Sequence, residues 1–144
     1  MENKEKELRQ WVLSHMTTEA ESELDLYKEQ VAKLVSLTST GDVIFNVDLP
    51  KLDAQTQILL FLIGKLYARI GGLVDSDTVT NEEIAKYGRG SSGGQRWALT
   101  KLRQAHFIES TSPGVHHILP SQIGRAFKEI ISERVRLESE QAAQ

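Results

Sequence analysis

The sequence contains no cysteine, which removes disulfides and thiolate metal ligands from consideration. It also lacks a long apolar run. The most apolar stretch, Ile58 to Ile63, is far shorter than the roughly 20 residues needed to span a bilayer. The amino-terminal "MENKEKELRQ" is charged where a secretory signal would carry an apolar core. A cytoplasmic protein that does not enter membranes is the expectation. Neither glycine nor proline occurs in the first 38 residues, so nothing there forbids continuous helix. Acidic residues are also absent from a basic window: between Ile84 and Ile108 stand Lys86, Arg89, Arg96, Lys101 and Arg103 without a single Asp or Glu.

That window matters more than the net charge of −3, which by itself argues against a nucleic-acid partner. Residues 1–53 hold eleven acids against six bases, and residues 54–144 hold nine against eleven. The acidic first third and the basic window are different surfaces. A length of 144 residues fits one domain with an appendage. The organisation read from the sequence is an amino-terminal helical segment over 1–40, a domain over 41–132, and a carboxy-terminal tail over 133–144.

In the first segment Ala20, Leu24, Tyr27, Val31 and Leu34 fall on an a/d seam, preceded by a capping box from Thr18 to Glu21. Leu8, Trp11, Val12 and His15 form a weaker amphipathic stretch upstream. The seam either folds back on its own domain or joins two chains as a homodimer. Next, Val43, Phe45, Val47 and Leu49 alternate as a strand that ends at Pro50. Asp53 then caps a helix over 54–71, with Ile58, Leu59, Leu62, Leu66 and Ile70 on one face and Leu60, Phe61 and Ile63 widening it. Gly71 and Gly72 close that helix. A short helix starts at Thr80 with Glu83 as its capping-box partner, and a glycine-rich turn leads to a helix over 93–106. Two β-prone runs meet at Ser112-Pro113-Gly114 as a hairpin. Ser121 is placed to cap a last helix carrying Ile123, Phe127, Ile130 and Ile131. The fold class is therefore mainly α with a small β-hairpin.

Gly88-Arg89-Gly90-Ser91-Ser92-Gly93 spells G-x-G-x-x-G, the dinucleotide-binding fingerprint. That fingerprint requires a buried strand before the loop, whereas "TNEEIAKY" carries helical signals. Glu109 falls near the distance of a ribose-binding acid but in a hairpin strand, and Gln95 stands where a Walker lysine would follow Gly94. No cofactor is expected.

"VTNEEIAKYG", "ALTKLRQAHFIE", the hairpin and "ILPSQIGRAFKEI" together resemble winged helix-turn-helix transcription regulators of bacteria and archaea over residues 54–131. The resemblance implies a winged-helix domain, here preceded by the amino-terminal helices, with 93–106 as a recognition helix that reads the major groove of double-stranded DNA. It further implies a regulator of transcription without enzymatic activity; that the regulator is a dimer is expected from the amino-terminal helices, since residues 1–53 lie outside the resemblance. Two features depart from the pattern. The turn has four glycines where one is usual, and the hairpin tip "STSPG" lacks the Arg or Lys that grips phosphate.

On a helical wheel Ala98, Leu99, Leu102 and Ala105 face inward, opposite Arg96, Trp97, Thr100, Lys101 and Gln104, with Arg103 on the flank. Arg pairs bidentately with guanine, Gln with adenine, and Thr can touch a thymine methyl. Gln95 lies in the first turn, where recognition helices approach base edges. Ser91 and Ser92 can donate to a phosphate at the helix start, and Arg89 can neutralise its neighbour. The glycines could equally serve only a sharp turn. For Trp97, partial burial is expected. Adjacent strand residues His116 and His117 point to opposite faces and do not share a metal; Asp75 and Asp77 read as turn formers. A different class of function stays open beside DNA binding: an interaction module that docks a protein partner, favoured by net acidity, the neutral hairpin tip and Trp97.

Overall fold

The structure, a computed structural model, describes residues 2–15, 20–48, 51–87 and 92–136. The chain is mainly helical with two small antiparallel sheets. Helices α1 (Glu2–His15) and α2 (Ala20–Leu34) come first. The helical segment expected over 1–40 stops at Leu34, because Val35–Leu37 forms β1, which pairs with β2 (Val43–Phe45) from Val35↔Phe45 to Leu37↔Val43. A β-branched residue gains more in a sheet with a partner than in one further helical turn. Thr38 closes the connection: its carbonyl accepts from Gly41 and its hydroxyl from the Asp42 N–H. The alternation expected through Leu49 ends at Phe45. Leu49 and Pro50, like Thr18 of the expected capping box, lie outside the described residues.

Asp53 caps α3 (Ala54–Ile70), its carboxylate accepting from the Thr56 N–H at 3.0 Å and from the Thr56 hydroxyl. From Ile58 to Ile63 every side chain is buried, since α2 and the β1–β2 hairpin pack on one side of α3 and later elements on the other. Each such side chain contributes about 1.5–3 kcal/mol on leaving water. Ile70, expected on the inner face, is exposed in the last turn. The helix ends as expected at Gly71, whose N–H returns to Tyr67.

The α2 seam closes on the chain's own core. Leu24, Tyr27 and Val31 are buried. Tyr27 stacks on Phe127 with ring centroids 5.1 Å apart, and the Tyr67 hydroxyl donates to the Leu24 carbonyl at 2.5 Å. Burial pushes that phenol up to about 12, so it remains a donor at neutral pH. One continuous core therefore runs from Leu24 to Ile131.

After α3 come β3 (Val79–Thr80), α4 (Asn81–Tyr87), α5 (Ser92–Gln104), β4 (Ile108–Ser112) and β5 (Val115–Ile118). The three strands form one sheet in the order β3-β5-β4, with β5 antiparallel to both neighbours. The hairpin turns at Gly114, where φ of +76° suits a residue without Cβ. A 3₁₀ turn (Pro120–Gln122) leads to α6 (Ile123–Ala126), a π-helical turn (Phe127–Ile131) and further helix over 132–136. Ser121 sits inside the 3₁₀ turn and does not cap. The carboxylate of Glu23 on α2 does that work, accepting from the Gly124 N–H at 3.0 Å across 101 positions of sequence. No helix among the described residues is long and apolar enough to cross a membrane.

Candidate nucleic-acid interface

Helix α5 is held at both ends. Ahead of it, Thr80 and Glu83 form the expected capping box of α4, with Glu83 N–H to the Thr80 hydroxyl at 3.2 Å and Thr80 N–H to the Glu83 carboxylate at 3.4 Å. At the far end His106 takes φ of +64°, so that the Phe107 N–H reaches the Leu102 carbonyl and the His106 N–H reaches that of Arg103. This is the double bond that ends helices in a left-handed residue. Arg125 completes the closure: it donates to the Ala105 carbonyl at 2.6 Å and lies 4.2 Å over the Phe107 ring. The same side chain pairs with Glu129 at 2.8 Å. Ala98, Leu99 and Leu102 are buried against α3.

With that face fixed inward, Arg96, Trp97, Thr100, Lys101, Arg103 and Gln104 are exposed together. None of Arg96, Lys101 and Arg103 makes an ion pair with a described carboxylate. Lys101 and Arg103 occupy the last turn, where cations complement the helix dipole. The face is internally ordered: Thr100 donates to the Arg96 carbonyl at 3.0 Å, and the Arg103 fork reaches Ser110 of β4 at 3.2 Å and Thr100 at 3.5 Å.

Two expectations change. Gln95 is only 9% exposed, and its amide donates inward to the Ile84 carbonyl at 3.5 Å. Its place at the α4–α5 contact removes it from the set that can meet base edges. Trp97 is 56% exposed rather than partly buried, with the Lys101 ammonium 5.7 Å from its ring centre. Arg89 and Ser91, with Gly88 and Gly90, lie outside the described residues, and Ser92 is described only as the first residue of α5. The segment in front of that glycine run is α4, a helix and not the strand a dinucleotide fingerprint requires.

Beside the exposed face, Asn81, Glu82, Ile84, Gln95, Arg96 and Leu99 line a cavity of about 500 Å³ between α4 and α5. Behind it runs a polar chain, centred on one buried histidine, that the sequence did not disclose. His116 is 2% exposed. Its Nδ1 lies 2.7 Å from the Ser110 hydroxyl and its Nε2 lies 2.7 Å from Oδ1 of Asn81. Burial, and then the Arg103 charge, lower its pKa. His117 turns the other way, 3.9 Å from Asp77, which also faces Arg69 at 3.7 Å. The two histidines therefore do not converge, and no group of metal-ligating side chains occurs among the described residues. Ser-x₅-His spacing across a hairpin, with Asn at a helix start, is too common to have flagged the chain in advance.

Comparison with protein-family models, with curated proteins and with solved structures found no match.

Proposed function

We propose that the protein binds double-stranded DNA through the exposed face of α5, as a winged-helix regulator of transcription. The observation that carries this reading is the cationic face itself: Arg96, Lys101 and Arg103 stand out from the core beside Thr100 and Gln104, and no described carboxylate pairs with them. The element order α3-β3-α4-α5-β4-β5, with the sheet order β3-β5-β4, supports the winged-helix assignment. In this reading Arg96, placed toward the start of α5, reads a base edge, whereas Lys101 and Arg103 neutralise phosphates. The hairpin tip carries no cation and contributes shape, not charge.

Dimerisation belongs to the same proposal, but the α2 seam does not supply it, being spent on the core. Leu8 of α1 and Leu26 of α2, 62% and 70% exposed, are apolar side chains that the amino-terminal helices still present to a second chain. Fluorescence anisotropy with mixed-sequence duplexes at low salt tests DNA binding directly, and absence of binding at micromolar protein overturns it. Light scattering tests the dimer: Leu8→Glu should halve the mass if α1 joins the chains.

The exposure of Trp97 favours a second reading, in which the same face docks a protein partner through an aromatic anchor. Capture of a partner that survives high salt, together with absent duplex binding, selects it, because phosphate contacts weaken steeply with ionic strength.

A further inference from the structure

The four groups behind α5 admit one consistent set of donors. Asn81 Oδ1 can only accept, so His116 carries its proton on Nε2. Its Nδ1 lone pair then accepts from the Ser110 hydroxyl. The Ser110 oxygen in turn accepts from Nη1 of Arg103 at 3.2 Å. Each link then has one donor and one acceptor, and the chain has a direction: from the Arg103 guanidinium on the exposed face, through β4 and β5, to the first residue of α4. Asn81 is itself fixed, its N–H bonded to the Gly114 carbonyl at 2.9 Å.

Resting on the DNA-binding reading above, we propose that Ser110 and His116 are positioning residues that hold the Arg103 guanidinium ready for a phosphate, and that protonation of His116 releases it. An unheld arginine must lose rotamer freedom when it meets its ligand, whereas one tethered at Nη1 has lost much of it already. Protonating Nδ1 reverses the first link. The imidazolium donates to Ser110, the hydroxyl proton must turn away, and a second positive charge now stands behind the guanidinium. Among the described residues no carboxylate faces the ring to offset it. From α5 the facing charge is Arg103. On β4, Glu109 lies opposite His117, and Asp77 ahead of β3 contacts His117 as well. On α4, Glu83 pairs with Lys65 and Glu82 lines the neighbouring cavity.

The test has an arm that needs no nucleic acid. In a pH titration followed by NMR, the Arg103 Nε–H resonance should show an inflection at the midpoint of the His116 ring, and Ser110→Ala should cut it to the smaller effect of a charge felt through space. A flat Arg103 profile in the wild type overturns the proposal. So does an inflection of undiminished size in Ser110→Ala, which would mean a charge felt through space without a link. In the second arm, Ser110→Ala should weaken duplex binding at pH 7.5 by about three- to ten-fold, the size expected for ordering one rotamer-rich side chain. That loss should vanish in an Arg103→Ala background and shrink toward acid pH. Equal losses in both backgrounds overturn the positioning role. If no duplex binds at all, the DNA-binding reading fails, and the resonance arm alone decides the link.

Discussion

Replacing Gly124 by alanine tests whether α2 belongs to the domain or merely precedes it. The added Cβ would stand 2.5 Å from Oε2 of Glu23, 3.1 Å from Cε2 of Tyr27 and 3.2 Å from its hydroxyl. Tyr27 cannot withdraw, because its ring is stacked on Phe127. The Glu23 carboxylate must therefore move and leave the Gly124 N–H, losing a charge-assisted bond at the start of α6. Overpacking of this kind costs about 1–3 kcal/mol, and a hydrogen bond to a charged group contributes about 1.5–3 kcal/mol. Together they give about 2.5–6 kcal/mol, which at about 2–4 °C per kcal/mol for a chain of this size lowers Tm by roughly 10 °C. Glu23→Ala alone should cost only the bond. The double variant should cost clearly less than the two singles added, since the carboxylate that is displaced is already gone. Urea unfolding followed by circular dichroism measures all three. A Gly124→Ala cost below about 1 kcal/mol, or strict additivity, would refute the claim that Glu23 caps α6 from α2.

Asp53→Ala should cost about 0.5–2 kcal/mol, the usual value of an N-cap, because it removes both bonds to Thr56; an unchanged urea midpoint would contradict this. Acidification should destabilise the protein through His116. Its pKa is lowered in the fold from 6.5, first by burial and then by Arg103. The unfolded chain thus takes up a proton the folded chain refuses, so stability is retained above the unfolded value and falls as pH drops through it, levelling once the folded ring itself titrates. Melts between pH 7.5 and 5 should show this fall, and a His116→Gln variant that shows the same fall would oppose the assignment. Trp97→Ala should change stability by no more than about 0.5 kcal/mol, as expected for a surface position; a larger loss in urea unfolding would mean that the indole packs on the core.

What could be read in advance was what is local in the chain. Asp53 and the Thr80–Glu83 pair announce helix starts within three residues. The apolar spacing of Leu99 and Leu102 fixes which side of α5 turns inward, and so which cations face out. β1 was illegible because Val35–Leu37 follows a helix without a break and becomes a strand only through its pairing with Val43–Phe45. β3 is two residues long and has no periodicity of its own. Gln95 carries the composition of a base reader, and its inward turn depends on a carbonyl that α4 brings to it. The Arg103–Ser110–His116–Asn81 chain draws on α5, both strands of the hairpin and the start of α4, so no single window contains it. The same holds for Glu23 and Gly124.

Whether the cations of α5 meet phosphates is tested most directly by the salt dependence of duplex binding. Each phosphate neutralised contributes a slope of about −0.9 to the logarithm of affinity against the logarithm of salt concentration. Removing Lys101 and Arg103 together should flatten the wild-type slope by about 1.8 on that basis, while Arg125→Ala, whose charge is already paired with Glu129, should leave the slope where it was. An unchanged slope in the Lys101/Arg103 double variant would contradict the account.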